Sequence, residues 1–100
     1  MSINDQKKEK SNRVIITVVG KDQIGIIAWV TGRLAEESVN VLDISQTILQ
    51  GFFTMIMVVD LSQASHSLGD LSAKLSKEAE ERGLKVTAQH EDVFAFMHRI

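Results

Sequence analysis

The residues best suited to chemistry lie in one short segment, Gly20-Lys21-Asp22-Gln23-Ile24-Gly25-Ile26. An apolar run, Val14 to Val19, leads into it, and a second, Ile26 to Val30, leads out. That order predicts a strand, a tight turn through glycines and the start of a helix, with Asp22 as the helix cap. A helix start carries N–H groups without intrahelical partners and a partial positive charge, so the turn suits an anion or a polar ligand. The same residues also have a purely structural reading. Asp22 as a cap contributes about 1 kcal/mol, and Gly25 serves helix–sheet packing.

No catalytic set accompanies the turn. The chain has no cysteine, which excludes a disulfide framework, a thiolate metal site and a cysteine nucleophile. Its serines form no Gly-x-Ser-x-Gly elbow. His66, His90 and His98 fall at a loop, a strand end and a tail, without ligand spacing, and the adjacent His90, Glu91 and Asp92 point in different directions. The expectation is no enzyme, no metal and no cofactor; Lys21 and Asp22 are the candidates should a minor activity exist.

The elements that position the turn follow from periodicity. Val14 to Val19 is apolar on both faces apart from Thr17, as in a central strand covered on two sides. The first helix is expected over Ile24 to Glu37, with Ile27, Val30 and Leu34 inward. Gly32 costs that helix about 1 kcal/mol relative to alanine, and a close approach to the sheet is the expected compensation. Trp29 falls off the inward stripe, as a surface aromatic or an anchor in a subunit contact. After the turn Ser38-Val39-Asn40, where Asn40 can satisfy the turn with its side chain, residues Val41 to Leu49 alternate. Leu42, Ile44, Gln46 and Ile48 share one side of this half-buried strand, opposite Asp43, Ser45 and Thr47. Gln50-Gly51 joins it in a hairpin to a third strand, Phe52 to Leu61.

Ser67 and Asp70 read as a capping box for a second helix that buries Leu68, Leu71, Leu75 and Ala79. Glu78 and Arg82 form an i, i+4 pair on it, and Gly83 ends it. Leu84 to His90 is the fourth strand. Glu91 to Ile100 is a short amphipathic helix with Val93, Phe96, Met97 and Ile100 on one stripe, a cover for the sheet face left open by the other two helices. Residues 1–12, with Lys7, Lys8, Glu9 and Lys10, read as a frayed tail, and 13–100 as one domain.

The order β-α-β-β-α-β plus a terminal helix gives an α+β class. Right-handed crossovers place two helices on one face of a four-stranded antiparallel sheet, the ferredoxin-like arrangement. Fold alone does not give function. An RNA-recognition module on this scaffold needs aromatics on both central strands, but the first strand has none and the net charge is −2. A phosphatase of this shape needs an arginine in the first loop, where Lys21 stands. No apolar run approaches the ~20 residues of a membrane span, and residues 1–13 lack the hydrophobic core of a secretory signal. The expectation is a cytoplasmic protein with no nucleic-acid or membrane partner.

Gly20-Lys21-Asp22, Gly25-Ile26-Ile27-Ala28 and Val39-Asn40-Val41 resemble an ACT domain. The likeness extends to the small stand-alone ACT proteins of bacteria and archaea through the tail Phe94-Ala95-Phe96-Met97-His98-Arg99-Ile100. It extends also to the ACT segments of the glycine-cleavage repressor and formyltetrahydrofolate deformylase, and it covers about Val14 to Ile100. The resemblance implies a regulatory module, usually dimeric, that binds a small molecule, often an amino acid. It implies a site where the loop after strand one meets the start of strand two at a subunit interface. Asp22, Gln23, Ile24, Gly25 and Ile26 would be its loop side, with Asp22 on a ligand amine and N–H groups of Ile24 to Ile26 on a carboxylate. Asn40 would be its strand side. Gln23-Ile24 replaces the Arg/Lys-Pro pair of many amino-acid-binding members, which leaves the effector unnamed. It also keeps a second reading in view, an interaction module that dimerises without a ligand.

Overall fold

The computed structural model describes residues 12–98. The expected tail lies outside them apart from Asn12, as do the last two residues of the expected terminal helix. The elements run β1 (Arg13–Lys21), α1 (Ile26–Glu36), β2 (Asn40–Leu49), β3 (Phe52–Asp60), α2 (Leu68–Glu81), β4 (Leu84–His90) and α3 (Glu91–His98). The strands form one antiparallel sheet in the order β2-β3-β1-β4, the ferredoxin-like arrangement that the element order predicts.

Register decides which side chains share a face. Val14, Ile16 and Val18 of β1 stand beside Val59, Met57 and Met55 of β3, and all six are nearly inaccessible. They meet Ile26, Trp29, Val30 and Leu34 of α1 and Leu71, Leu75 and Ala79 of α2 in a single core. The other face carries Ile15, Thr17 and Val19 of β1, with Phe52, Thr54, Ile56 and Val58 of β3. Helix α3 touches β1 and β4. Gln89, paired with Ile15 on this face, donates from Nε2 to Met97 Sδ at 3.5 Å. Ile15 is 9% exposed outside the main core, whereas Val19 and Ile56 are about 40% exposed. The terminal helix therefore covers one end of this face within its own chain.

Several expectations need correction. Helix α1 starts at Ile26, two residues later than the pattern implied, and its buried stripe is Ile26, Trp29, Val30 and Leu34 while Ile27 faces water. Trp29 is thus a core residue, not a surface aromatic or a subunit anchor. A Cβ on Gly32 would meet nothing within 4 Å, so no close approach explains that glycine. The close approach is at Gly20, where a Cβ would lie 2.6 Å from Leu84 Cδ2 and 3.2 Å from the Gly83 carbonyl oxygen. Strand β2 is not half-buried: it is the sheet's edge, exposed at every position but Val41. A bulge between Val41 and Asp43 displaces Leu42, so Val41 joins Ile44, Gln46 and Ile48 on the helix side.

The caps of α2 follow the sequence reading. Ser67 Oγ accepts from the Asp70 N–H at 3.2 Å, and Gly83, at φ +71°, follows the helix. The expected pairing of Glu78 with Arg82 does not form through the carboxylate. Arg82 Nη1 donates instead to the Glu78 backbone oxygen at 3.0 Å, and the Glu78 side chain turns to α1.

Candidate functional site

The β1–α1 loop is held by its backbone and by one side chain. The Asp22 N–H donates to the Gly51 carbonyl at 2.8 Å, which ties the loop to the β2–β3 turn. Gln23 Nε2 donates to the Lys21 carbonyl at 3.3 Å and to the Arg82 carbonyl at 3.0 Å, which ties it to the end of α2. Ile24 stands fully in water. Gly25, at φ +90°, is the N-cap, in a left-handed conformation open to glycine without strain. A Cβ there would meet nothing within 4 Å, so backbone conformation, not helix–sheet packing, calls for this glycine.

Asp22 is consequently not the cap. No side chain bonds to the first turn of α1, and that turn contains no acidic residue. Its first backbone bond runs from the Trp29 N–H to the Gly25 carbonyl at 2.9 Å. The Asp22 carboxylate makes no hydrogen bond or ion pair among the described residues. An uncapped helix start beside an unpaired carboxylate can take the two ends of a zwitterion, a carboxylate on the N–H groups and an amine on Asp22.

Asn40 is not there. It opens β2, opposite Asp60, which pairs with Arg13 at the start of β1; Lys21, at the end of β1, pairs with Phe52 beside Leu49. The eight residue steps between the two ends span ~27 Å. Within one chain the structure gathers Asp22, Gln23, Ile24, Gly25 and Ile26 and leaves Asn40 at the far end of the sheet. The reason is topological. In a strand-helix-strand unit the helix carries the chain back, so β2 begins level with the start of β1.

Two polar constellations went unread in the sequence. Between the helices, Glu78 Oε1 accepts from Trp29 Nε1 at 2.7 Å and from Arg33 Nε at 2.6 Å. The Arg82 guanidinium sits 4.5 Å from the centre of the Trp29 ring. The Arg33 bond, then the Trp29 bond, hold the Glu78 carboxyl below its ordinary range. At the other end, Glu37 is buried at the C-terminus of α1, where the helix dipole disfavours an anion. Lys74 Nζ donates to its Oε2 at 3.0 Å and His66 Nδ1 to its Oε1. Those two bonds, Lys74's first, hold the Glu37 carboxyl low against the opposing effect of burial. A carboxylate ending an apolar helical stripe was the one signal that could have announced these partners.

A cavity of about 220 Å³ adjoins this second cluster, lined by Val14, Leu61 and Leu68 with His66, Ser67 and His90 on its walls. Among the described residues no group of three or more histidines or carboxylates is placed to hold a metal. No helix there is long and apolar enough to cross a membrane.

Residues 12–89 match the family described as the ACT domain. The chain belongs to the ACT-domain family. ACT domains are generally regulatory ligand-binding modules. This chain is 48% identical over 89 residues to a UPF0237 protein of Methanocaldococcus jannaschii, an alignment covering 89% of this chain and 99% of the relative. It is similar to the solved structure of an ACT domain protein from Streptococcus pneumoniae, at 35% identity and a TM-score of 0.71. That likeness covers 92% of this chain and 99% of the other. A formyltetrahydrofolate deformylase from Burkholderia mallei shares the fold at a TM-score of 0.71 and 15% identity. There 79% of this chain matches 28% of the enzyme's.

Proposed function

We propose that this ACT domain binds a small zwitterionic metabolite, an amino acid, at a seam between two copies of the chain, and that occupancy of the seam is the regulatory signal. The observation that carries the reading is the uncapped start of α1 at an exposed loop beside the unpaired Asp22. Half of such a site is present in each chain.

The other half comes from the free edge of the sheet. Strand β2 runs for ten residues along the outer edge of the sheet, paired with β3 on one side only, and bears a single charge, Asp43 at its bulge. The opposite edge, β4, carries Lys85 and is packed by α2 and α3. An edge of that length with so little charge is a template for another strand. Two copies of β2 pairing antiparallel about Gln46 set Ile44 of one opposite Ile48 of the other, on the helix side. Both are exposed in the single chain, at 39% and 55%. Ser45 then meets Thr47, and Asp43 meets no other charge. In this register Asn40 of one copy comes beside the Gln50–Gly51 turn of the other, to which Asp22 is bonded. Asn40 joins the loop residues across the seam.

Thermal-shift measurements against the common amino acids at millimolar concentration test the reading, because a ligand of the folded state raises the midpoint by mass action. A shift for one of them, lost in Asp22→Ala, is the expected result. No shift for any amino acid overturns it. The ligand-free interaction module differs in that outcome alone: it keeps the seam and shows no shift.

A further inference from the structure

The end of the core away from the β1–α1 loop holds the cavity of about 220 Å³ beside the Glu37 cluster. The sequence of β4 opens it. The inward row of that strand, opposite Gly20, Val18, Ile16 and Val14, reads Leu84, Val86, Ala88 and then His90. An imidazole stands where the row calls for a fourth apolar side chain. His90 Nδ1 accepts from the Asp92 N–H at 3.1 Å, at the start of α3, and its ring forms one wall of the cavity. Val14, Leu61 and Leu68 give the apolar lining, and His66 and Ser67 the polar wall.

Bonds already made set the chemistry of that wall. Glu37, 6% exposed and held by Lys74 at 3.0 Å, accepts from His66 Nδ1, which keeps the proton of a neutral imidazole on that nitrogen. His66 Nε2 is then an acceptor, and it makes no hydrogen bond among the described residues. Ser67 Oγ accepts from the Asp70 N–H at 3.2 Å, which leaves its own proton to donate. An acceptor and a donor on successive residues thus border an apolar space. Charge narrows the occupant. Lys74 is neutralised by Glu37 and Asp70 stands beside both, so nothing there favours an anion. Size narrows it further. The space is smaller than the roughly 300–1,000 Å³ of sites for larger ligands, and at interior packing density it holds about ten non-hydrogen atoms.

We propose that this cavity binds a small neutral molecule carrying a carboxamide or lactam on a short apolar body. Its N–H donates to His66 Nε2, its carbonyl accepts from the Ser67 hydroxyl, and its body lies against Val14, Leu61 and Leu68. A carboxylate would set its lone pairs against that of Nε2, and an ammonium would leave the Ser67 proton without an acceptor. Val14 stands seven residue steps, ~23 Å, from Lys21 along β1, so this site is separate from the ligand seam.

Three probes with one apolar body and different heads test it: isobutyramide, isobutyrate and isobutylamine. Each is titrated to the same millimolar concentration at about pH 8, where an ordinary imidazole is neutral. The imidazole resonances are followed by NMR, with that of His66 assigned through His66→Phe. Isobutyramide is expected to shift the His66 resonance to saturation, and the other two to leave it in place. The shift is expected to persist in Asp22→Ala and to be lost in Leu61→Phe, which fills the cavity, at unchanged circular dichroism. Leu68→Phe replaces that variant if it does not fold. No saturable shift with isobutyramide, an equal or larger one with isobutyrate or isobutylamine, or a shift that survives filling of the cavity overturns the proposal.

Discussion

Trp29 Nε1 and Arg33 Nε, one turn apart on α1, converge on a single carboxylate oxygen of Glu78, at 2.7 and 2.6 Å. The indole is also flanked by Arg82, whose carbonyl holds Gln23 of the β1–α1 loop. One core aromatic thus links the two helices, and α2 in turn is tied to the loop.

Replacing that aromatic separates packing from hydrogen bonding. Trp29→Phe keeps most of the buried ring and removes the donor, for a loss of about 1 kcal/mol. Trp29→Ala also opens a cavity and costs about 3–5 kcal/mol. Urea unfolding followed by circular dichroism reads both, and near-equal losses would contradict the placement of the ring in the core.

Two carboxylates give acid a defined effect. Glu78 and Glu37 are held below the ordinary value of 4.5 by Arg33 and by Lys74 respectively, with Trp29 and His66 assisting. A carboxyl whose pKa is depressed on folding contributes stability that is present above its unfolded pKa and lost as pH falls through its folded one. Stability is therefore expected to fall as pH drops through and below 4.5, and less steeply in Glu37→Gln. A Glu37→Gln profile parallel to wild type would contradict the pairing with Lys74.

Two glycines should respond with opposite sign. Gly32 lies in an exposed helical turn where a methyl meets nothing, so Gly32→Ala stabilises by about 1 kcal/mol. Gly25 also has room, but its φ of +90° strains any other residue, and Gly25→Ala destabilises by roughly 1 kcal/mol or more. Thermal midpoints of the two variants decide it.

The cap of α2 gives a smaller effect. Ser67→Ala removes the oxygen that accepts from the Asp70 N–H and costs about 1 kcal/mol. Ser67→Asp should retain most of the stability.

Much of this fold was legible in the chain because its signals are local. Ser67 and Gly83 marked the ends of α2, and alternation between glycine and histidine marked β4 as Leu84 to His90. The start of α1 was misread because Asp22 has the chemistry of a cap, whereas the turn uses the left-handed Gly25. Each residue turns a helix by about 100°, so a correct stripe needs the right frame. Trp29 could not be placed from its own segment, since its partner Glu78 is 49 residues away. Asn40 stands apart from the loop within one chain for a different reason. Its distance from the loop follows from strand-helix-strand topology, which the order of elements already contained. The polarity of β2 misled as well: alternation marks a strand, but only its place at the sheet edge leaves both faces in water.

A mixing experiment tests the shared seam most directly. Asp22→Ala and Asn40→Ala each remove one half of every site in their own dimers, so neither variant alone should bind an amino acid that shifts the wild type. Unfolding and refolding the two together produces mixed dimers in which one seam has both residues intact and the other has neither. Calorimetry on the mixture is expected to recover binding at wild-type affinity with a reduced number of sites. Full binding by Asn40→Ala alone, or a mixture as silent as its parents, would contradict it.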